Sequence, residues 1–189
     1  MILVAPAREH LPSYVAALQR GWTPDPLRGA SVTREQLARI AEDGDAFLAS
    51  IVDRKGGAKL VLPDGSVVGR LPGYQRWLWD GEFCGSIGLR WQPGTEALPP
   101  YCLGHIGYAV VPWKEGRGYA TEALRQMLIE ARTEGLRYVE LTTRPDNLAS
   151  QRVIEKNGGV FVEEFRMHAS LGGERELRYR IDLGQDGQA

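Results

Sequence analysis

The chain has 189 residues and a mass of 20.9 kDa, and its 43% hydrophobic and 25% charged residues are the composition of an ordinary folded protein. At this length it can bury about two thirds of its extended surface, so folding requires neither disulfides nor metals. Lys+Arg of 23 against Asp+Glu of 24 leaves a net charge of -1, without the basic excess of a dedicated nucleic-acid binder, and the longest apolar runs (Ala46–Ala49, Tyr108–Trp113) fall far short of the roughly 20 residues of a bilayer span.

No segment repeats with a period of 20–50 residues, so 1–189 reads as one domain with a frayed tail at Gly184–Ala189. Leu3–Ala5 suits a short first strand. Glu9–Arg20 reads as a helix, with Pro12 in its first turn and Gly21 just past its end. Thr33 and Gln36 stand at capping-box spacing and predict the start of a second helix, with Leu37, Ile40 and Ala41 as its buried stripe and Gly44 as its stop. Phe47–Val52 then reads as a strand. Pro63-Asp64-Gly65 and Asp80-Gly81 are turn signals, and the second joins Tyr74–Trp79 and Glu82–Trp91 into an antiparallel hairpin. Gln92–Tyr101, with three prolines and a glycine, is a surface loop.

From there the texture alternates. His105–Val111 is a strand ending at Pro112, Tyr119–Glu134 an amphipathic helix stopped by Gly135, and Tyr138–Thr143 a strand. Asn147–Lys156 is a helix closed by Asn157-Gly158-Gly159, and Val160–Phe165 and Glu176–Leu183 are the last strands. The unit from His105 to Thr143 requires a right-handed crossover and predicts a parallel stretch of sheet. The fold class is α+β, a mixed twisted sheet with helices on both faces. Cys84 and Cys102 lack any CxxC or Cys/His spacing, and His10, His105 and His168 are scattered, so reduced thiols and no metal are expected. Met1–Pro6 lacks the basic start of a signal peptide, and a cytoplasmic protein is the expectation.

The segment that carries chemistry is Val110-Val111-Pro112-Trp113-Lys114-Glu115-Gly116-Arg117-Gly118-Tyr119-Ala120-Thr121. A strand stops at a proline, a turn with two glycines follows, and a helix begins at once. The first helical N–H groups are unpaired and the dipole is positive there, which suits a pyrophosphate. Gly116 and Gly118 allow close approach of the backbone, while Arg117 and Thr121 can add donors. The plain alternative is a glycine-rich β–α turn with no ligand. No GxxxxGK[ST] run and no GxGxxG fingerprint is present, which excludes a P-loop and argues against a Rossmann unit.

Glu115-Gly116-Arg117-Gly118-Tyr119-Ala120 resembles the acyl-CoA loop of the general N-acetyltransferase (GNAT) superfamily, Gln/Arg-x-x-Gly-x-Gly/Ala. Gly107–Pro112 and Tyr119–Leu124 resemble the strand and helix that flank that loop. Asn147–Gly159 is similar to the second helix motif, Asn-x-x-Ser-x-x-Val-x-x-x-x-Gly, and one helix and one strand separate the two. The resemblance implies a GNAT fold with its cofactor-binding core at about 105–165 and acetyl transfer from acetyl-CoA, without a metal, to an amine. The strand before the loop would pair with the pantetheine arm through Val110 and Val111, in a splay between that strand and the next. Gly116, Arg117, Gly118, Tyr119, Ala120 and Thr121 would hold the pyrophosphate, and Asn147 and Ser150 would face the pantetheine end. Asn147 can also serve as a helix N-cap.

Two positions depart from the family pattern. Glu115 replaces Gln or Arg and is expected to point away or to pair with Lys114 or Arg117. Ile154 stands where many members carry a tyrosine that protonates the leaving thiolate, a loss survivable for a leaving group with a pKa near 8.5. His105 and Glu140 are the candidate general bases, each with the alternative of a charge at a strand end or on a solvated face, and Tyr108 is a third candidate, with the alternative of a packing residue whose hydroxyl bonds locally. Trp22, Trp77, Trp79 and Trp91 could line an acceptor pocket or pack across the hairpin. The expected partner is an amine acceptor (small molecule, amino acid, antibiotic or protein N-terminus), with no nucleic acid or membrane, and a homodimer is left open. A non-catalytic acetyl-CoA sensor or interaction module is the rival reading.

Overall fold

The computed structural model describes residues 1–25, 29–62, 64–168 and 171–184. At its centre Gly73–Trp79 (β5) and Phe83–Arg90 (β6) pair antiparallel around the Asp80-Gly81 turn. Ile2–Val4 (β1) and Val52–Asp53 (β2) pair with β5, and Ile106–Val110 (β7) flanks β6 on its other side. Tyr138–Thr143 (β8), Arg175–Asp182 (β10) and Val160–Arg166 (β9) form a second antiparallel group in the order β8-β10-β9. A separate hairpin, Lys59–Val61 (β3) with Val67–Gly69 (β4), turns through Asp64 and Gly65. Pro63 of that turn, and the expected tail from residue 185 onward, lie outside the described residues.

Helices cover both faces because the central strands β5, β6 and β7 place apolar side chains on both sides of the sheet. Tyr119–Thr133 (α4) and Leu148–Lys156 (α5) insert Leu124, Met127 and Ile154 against Leu78, Ile87, Val139 and Leu141. Each such large side chain contributes about 1.5–3 kcal/mol when fully buried. On the opposite face Leu11–Gln19 (α1) and Gly44–Ser50 (α3) place Tyr14, Leu18 and Phe47 against Trp77, Phe83 and Val111. Ala30–Glu42 (α2) lies beside them, and its Leu37 and Ile40 pack on that cluster.

Four expectations change. Phe47–Val52 is helical through Ser50, and only its last residue, Val52, is in a strand. Asp43 accepts from the N–H groups of Asp45 and Ala46, both at 2.9 Å, and restarts a helix, while Phe47 and Ile51 bury one face at a spacing of four. Gly44 therefore opens α3 rather than stopping α2. That helix begins three residues before Thr33, whose hydroxyl donates to the Trp22 carbonyl instead of capping. The parallel pairing predicted between β7 and β8 is not formed: β7 ends one sheet and β8 another, so the layer parts between them. Trp77, Trp79 and Trp91 are packing residues: Trp77 is fully buried and stacked on Tyr14 at 4.5 Å, Trp79 lies against His10 and Trp91 against Tyr74. Among the described residues, no helix is long and apolar enough to cross a membrane, and no three His, Cys, Asp or Glu residues are grouped to hold a metal ion.

Candidate active site

Strand registers set where the opening lies. The His105 carbonyl accepts from Arg90 N–H and Val111 N–H donates to the Cys84 carbonyl, both at 2.9 Å. The odd-numbered residues of this strand therefore bond to β6, and alternation turns the backbone groups of Ile106, Tyr108 and Val110 the other way. In β8, Leu183 N–H donates to the Arg137 carbonyl, so Glu140 and Thr142 turn theirs toward β7. The two segments are hydrogen-bonded where His105, just before β7, meets Glu140 in the middle of β8. His105 N–H donates to the Glu140 carbonyl at 2.7 Å, and Glu140 N–H donates to His105 Nδ1 at 2.9 Å. A Cβ on Gly104 would stand 2.9 Å from the Glu140 carbonyl oxygen, so glycine permits this closure. Beyond it the strands diverge, with Tyr108 and Val110 on one lip and Thr142 on the other. Val111 is a correction: its N–H is spent on Cys84 and its carbonyl accepts from Lys114 N–H, so it faces away from the opening.

Neither candidate base is available. His105 is fully buried, its Nδ1 accepts a backbone amide, and its Nε2 therefore carries the hydrogen. Burial pushes its pKa below the ordinary 6.5. It pins the closed end of the splay as a neutral ring. The unfolded chain thus binds the proton first as pH falls, so His105 contributes stability above pH 6.5 that is lost progressively below it. His105→Gln, which keeps an acceptor for the amide, is expected to flatten this loss, read as the difference in urea unfolding between pH 7.5 and 5.5. Glu140 is held by Arg178 at 2.8 Å and Arg180 at 2.7 Å, with its side chain 13% exposed. Burial would raise its carboxyl, but Arg180 and Arg178 outweigh burial and hold it below the usual range. A carboxylate locked by two guanidiniums is a poor proton acceptor.

The open end of the splay holds a cavity of about 740 Å³. Gly116 (φ 73°) and Gly118 (φ 77°) take left-handed backbone that suits glycine, and no protein atom lies within 4 Å of a Cβ built on either. Gly118 is the N-cap of α4 and offers no side-chain cap, so the amides of Tyr119, Ala120 and Thr121 are left for a ligand. All of these residues line the cavity, as does the exposed Glu115. Arg117 is exposed on the loop and does not line it. Lys114 pairs with Asp80 and Glu82 rather than with Glu115. The sequence reading missed the basic residues that do line the cavity from α5, Arg152 and Lys156. Their spacing of four beside Ala149 and Val153, on the face that follows Asn147, was a legible helical signal.

From α5, the Asn147 side chain caps Ser150 N–H at 3.0 Å and still presents its amide hydrogens. Ser150 Oγ lies 2.9 Å from the Tyr108 hydroxyl, and both residues line the cavity. Burial raises the Tyr108 pKa to about 12, outweighing the Ser150 hydrogen bond that lowers it, so the phenol stays protonated. Ile154 is fully buried in the core and away from the cavity, so a side chain at that position is not what the site presents. Gly21, Trp22 and Thr23, between α1 and α2, form the far wall.

A sheet parted from a pinned vertex, with a glycine loop and an uncapped helix start at its open end, is the architecture of an acetyltransferase domain. The GNAT acetyltransferase domain profile matches residues 1–160, and the chain belongs to that family. No curated protein shows significant sequence similarity to it. Its fold is similar to that of RimL, a ribosomal alpha-N-protein acetyltransferase in complex with coenzyme A, with a TM-score of 0.62 and 18% identity over 95% of this chain and 92% of that one. It is also similar to MccE, a microcin self-immunity acetyltransferase in complex with acetyl-CoA and AMP (TM-score 0.59, 12% identity, 95% and 91%). A third similar structure is the acetyl transferase from Salmonella typhimurium that modifies the N-terminal serine of a ribosomal protein (TM-score 0.59, 16% identity, 95% and 93%). At these identities the likeness speaks to the fold.

Proposed function

We propose that the protein is an acetyl-CoA-dependent N-acetyltransferase that passes the acetyl group to a primary amine by direct attack. The observation that carries this reading is a single cavity running from the uncapped start of α4, past the open backbone edge at Tyr108 and Val110, to the Tyr108–Ser150 pair. The pyrophosphate would rest on the amides of Tyr119, Ala120 and Thr121, with Arg152 and Lys156 supplying positive charge nearby. The pantetheine amides would pair with the free groups of Tyr108 and Val110 as an added strand. The neutral amine attacks the thioester carbonyl, a backbone N–H near Val110 stabilises the developing oxyanion, and as the C–S bond breaks the Tyr108 hydroxyl protonates the departing thiolate and regains a proton from the nitrogen that becomes the amide.

No histidine and no carboxylate other than Glu115 lines the cavity among the described residues. The amine then has to arrive as the free base. At pH 7.5 about a third of an α-amino group with pKa about 7.8 is neutral, against roughly a thousandth of a lysine amine near 10.4. An acceptor with an α-amino group or another weakly basic amine is favoured. The test is a panel of amines read by release of free CoA thiol. Acetylation of α-amines, with kcat/KM rising with pH until the amine is deprotonated, supports the reading. Tight CoA binding with no thiol release across the panel would establish the non-catalytic alternative.

A further inference from the structure

We propose that Asp80 is a positioning residue for the cofactor loop, clasping both ends of residues 115–118 with one carboxylate; this rests on the reading of that loop as the pyrophosphate site. Asp80 lies in the turn between β5 and β6, well before the loop in sequence. Lys114 Nζ donates to Asp80 Oδ1 at 2.7 Å and to Oδ2 at 2.8 Å, and the Tyr119 hydroxyl donates to Oδ2 at 2.6 Å. Lys114 ends the short 3-10 turn that enters the loop, and Tyr119 is the first residue of α4 that leaves it. The four residues between them include both left-handed glycines.

Three features make this more than a surface ion pair. Lys114 is 7% exposed, and Glu82 at 2.7 Å supplies a second carboxylate to the same ammonium, so the contact is little screened by solvent. The anchor lies on the central hairpin, the most heavily paired part of the sheet, so the loop is referred to a rigid frame. Glycines also give up the most conformational freedom when a loop is ordered, and ordering it before the ligand arrives removes that cost from binding.

Charge and clasp make opposite forecasts. Asp80→Asn removes a negative charge near the proposed phosphate site, and electrostatics alone would tighten CoA binding. Loss of the clasp would loosen it. For Asp80→Asn we expect the dissociation constant of CoA, measured by calorimetry, to rise at least fivefold, with kcat at saturating acetyl-CoA retained. We also expect trypsin to cleave after the exposed Arg117 of the ligand-free protein several-fold faster, as identified by mass spectrometry. Tyr119→Phe, which deletes one hydroxyl and serves if the first variant misfolds, should move both readouts less and in the same direction. CoA bound equally or more tightly by a folded Asp80→Asn variant, with cleavage unchanged, would overturn the proposal. A parent protein that binds no CoA sinks the cofactor reading instead, and the cleavage rate alone then decides whether the loop is clasped.

Discussion

Replacing Gly118 by aspartate is expected to weaken acetyl-CoA binding at least tenfold, about 1.4 kcal/mol. The residue caps α4 at φ 77°, and a Cβ there meets no protein atom within 4 Å. The space is open to a ligand, and a carboxylate would enter it beside the proposed pyrophosphate. The left-handed backbone costs a non-glycine residue about 1 kcal/mol, so some folding stability is lost as well. Gly118→Asn separates the effects, because asparagine has nearly the same shape and tolerance of this backbone without the charge. Calorimetry on both variants should show the aspartate several-fold weaker than the asparagine. Equal affinity of the parent and the folded aspartate variant would place the cofactor elsewhere.

Tyr108→Phe should lower kcat by roughly ten- to a hundredfold while leaving acetyl-CoA affinity nearly unchanged, at or below the low end of the range for a positioned general acid, because a thiolate is a tolerable leaving group. The ring packs against the core cluster of the α4 face, and phenylalanine preserves that contact, so stability should change little. Only the hydroxyl beside Ser150 Oγ is lost. Single-turnover kinetics with saturating acetyl-CoA isolate the chemical step. An unchanged rate would reduce Tyr108 to a packing residue whose backbone alone faces the cofactor.

The elements whose physics is local are legible in the chain. The 3.6-residue pattern of Ala123, Leu124, Met127 and Ala131 specifies α4 and its buried face, and the Asp80-Gly81 turn signal between two apolar and aromatic runs specifies the β5–β6 hairpin. The proline stop, the two glycines and the helix start at Gly118 lie within one short stretch of chain, so the open, uncapped helix start was legible without any distant contact. Asn147 as a cap was legible for the same reason. Local signals failed where two of them competed: Asp43 restarts a helix at Gly44, and a run that looks extended is helical because its cap and its spacing of four agree.

Tertiary structure decided what depends on register between strands remote in sequence. Arg178 and Arg180 stand 38 and 40 residues from Glu140, and only the β8–β10 register brings them onto its carboxylate and removes it as a base. His105 loses its acceptor nitrogen to an amide 35 residues away, and Val111 spends its N–H on β6 because of its parity in that strand. Asp80, a turn residue by composition, reaches Lys114 across 34 residues. A side chain's residue type states which protons and charges it can exchange. Whether they remain free for a substrate depends on which partners the fold has already given it, and hydrogen-bond direction and charge pairing between separate strands are written in no local stretch of chain.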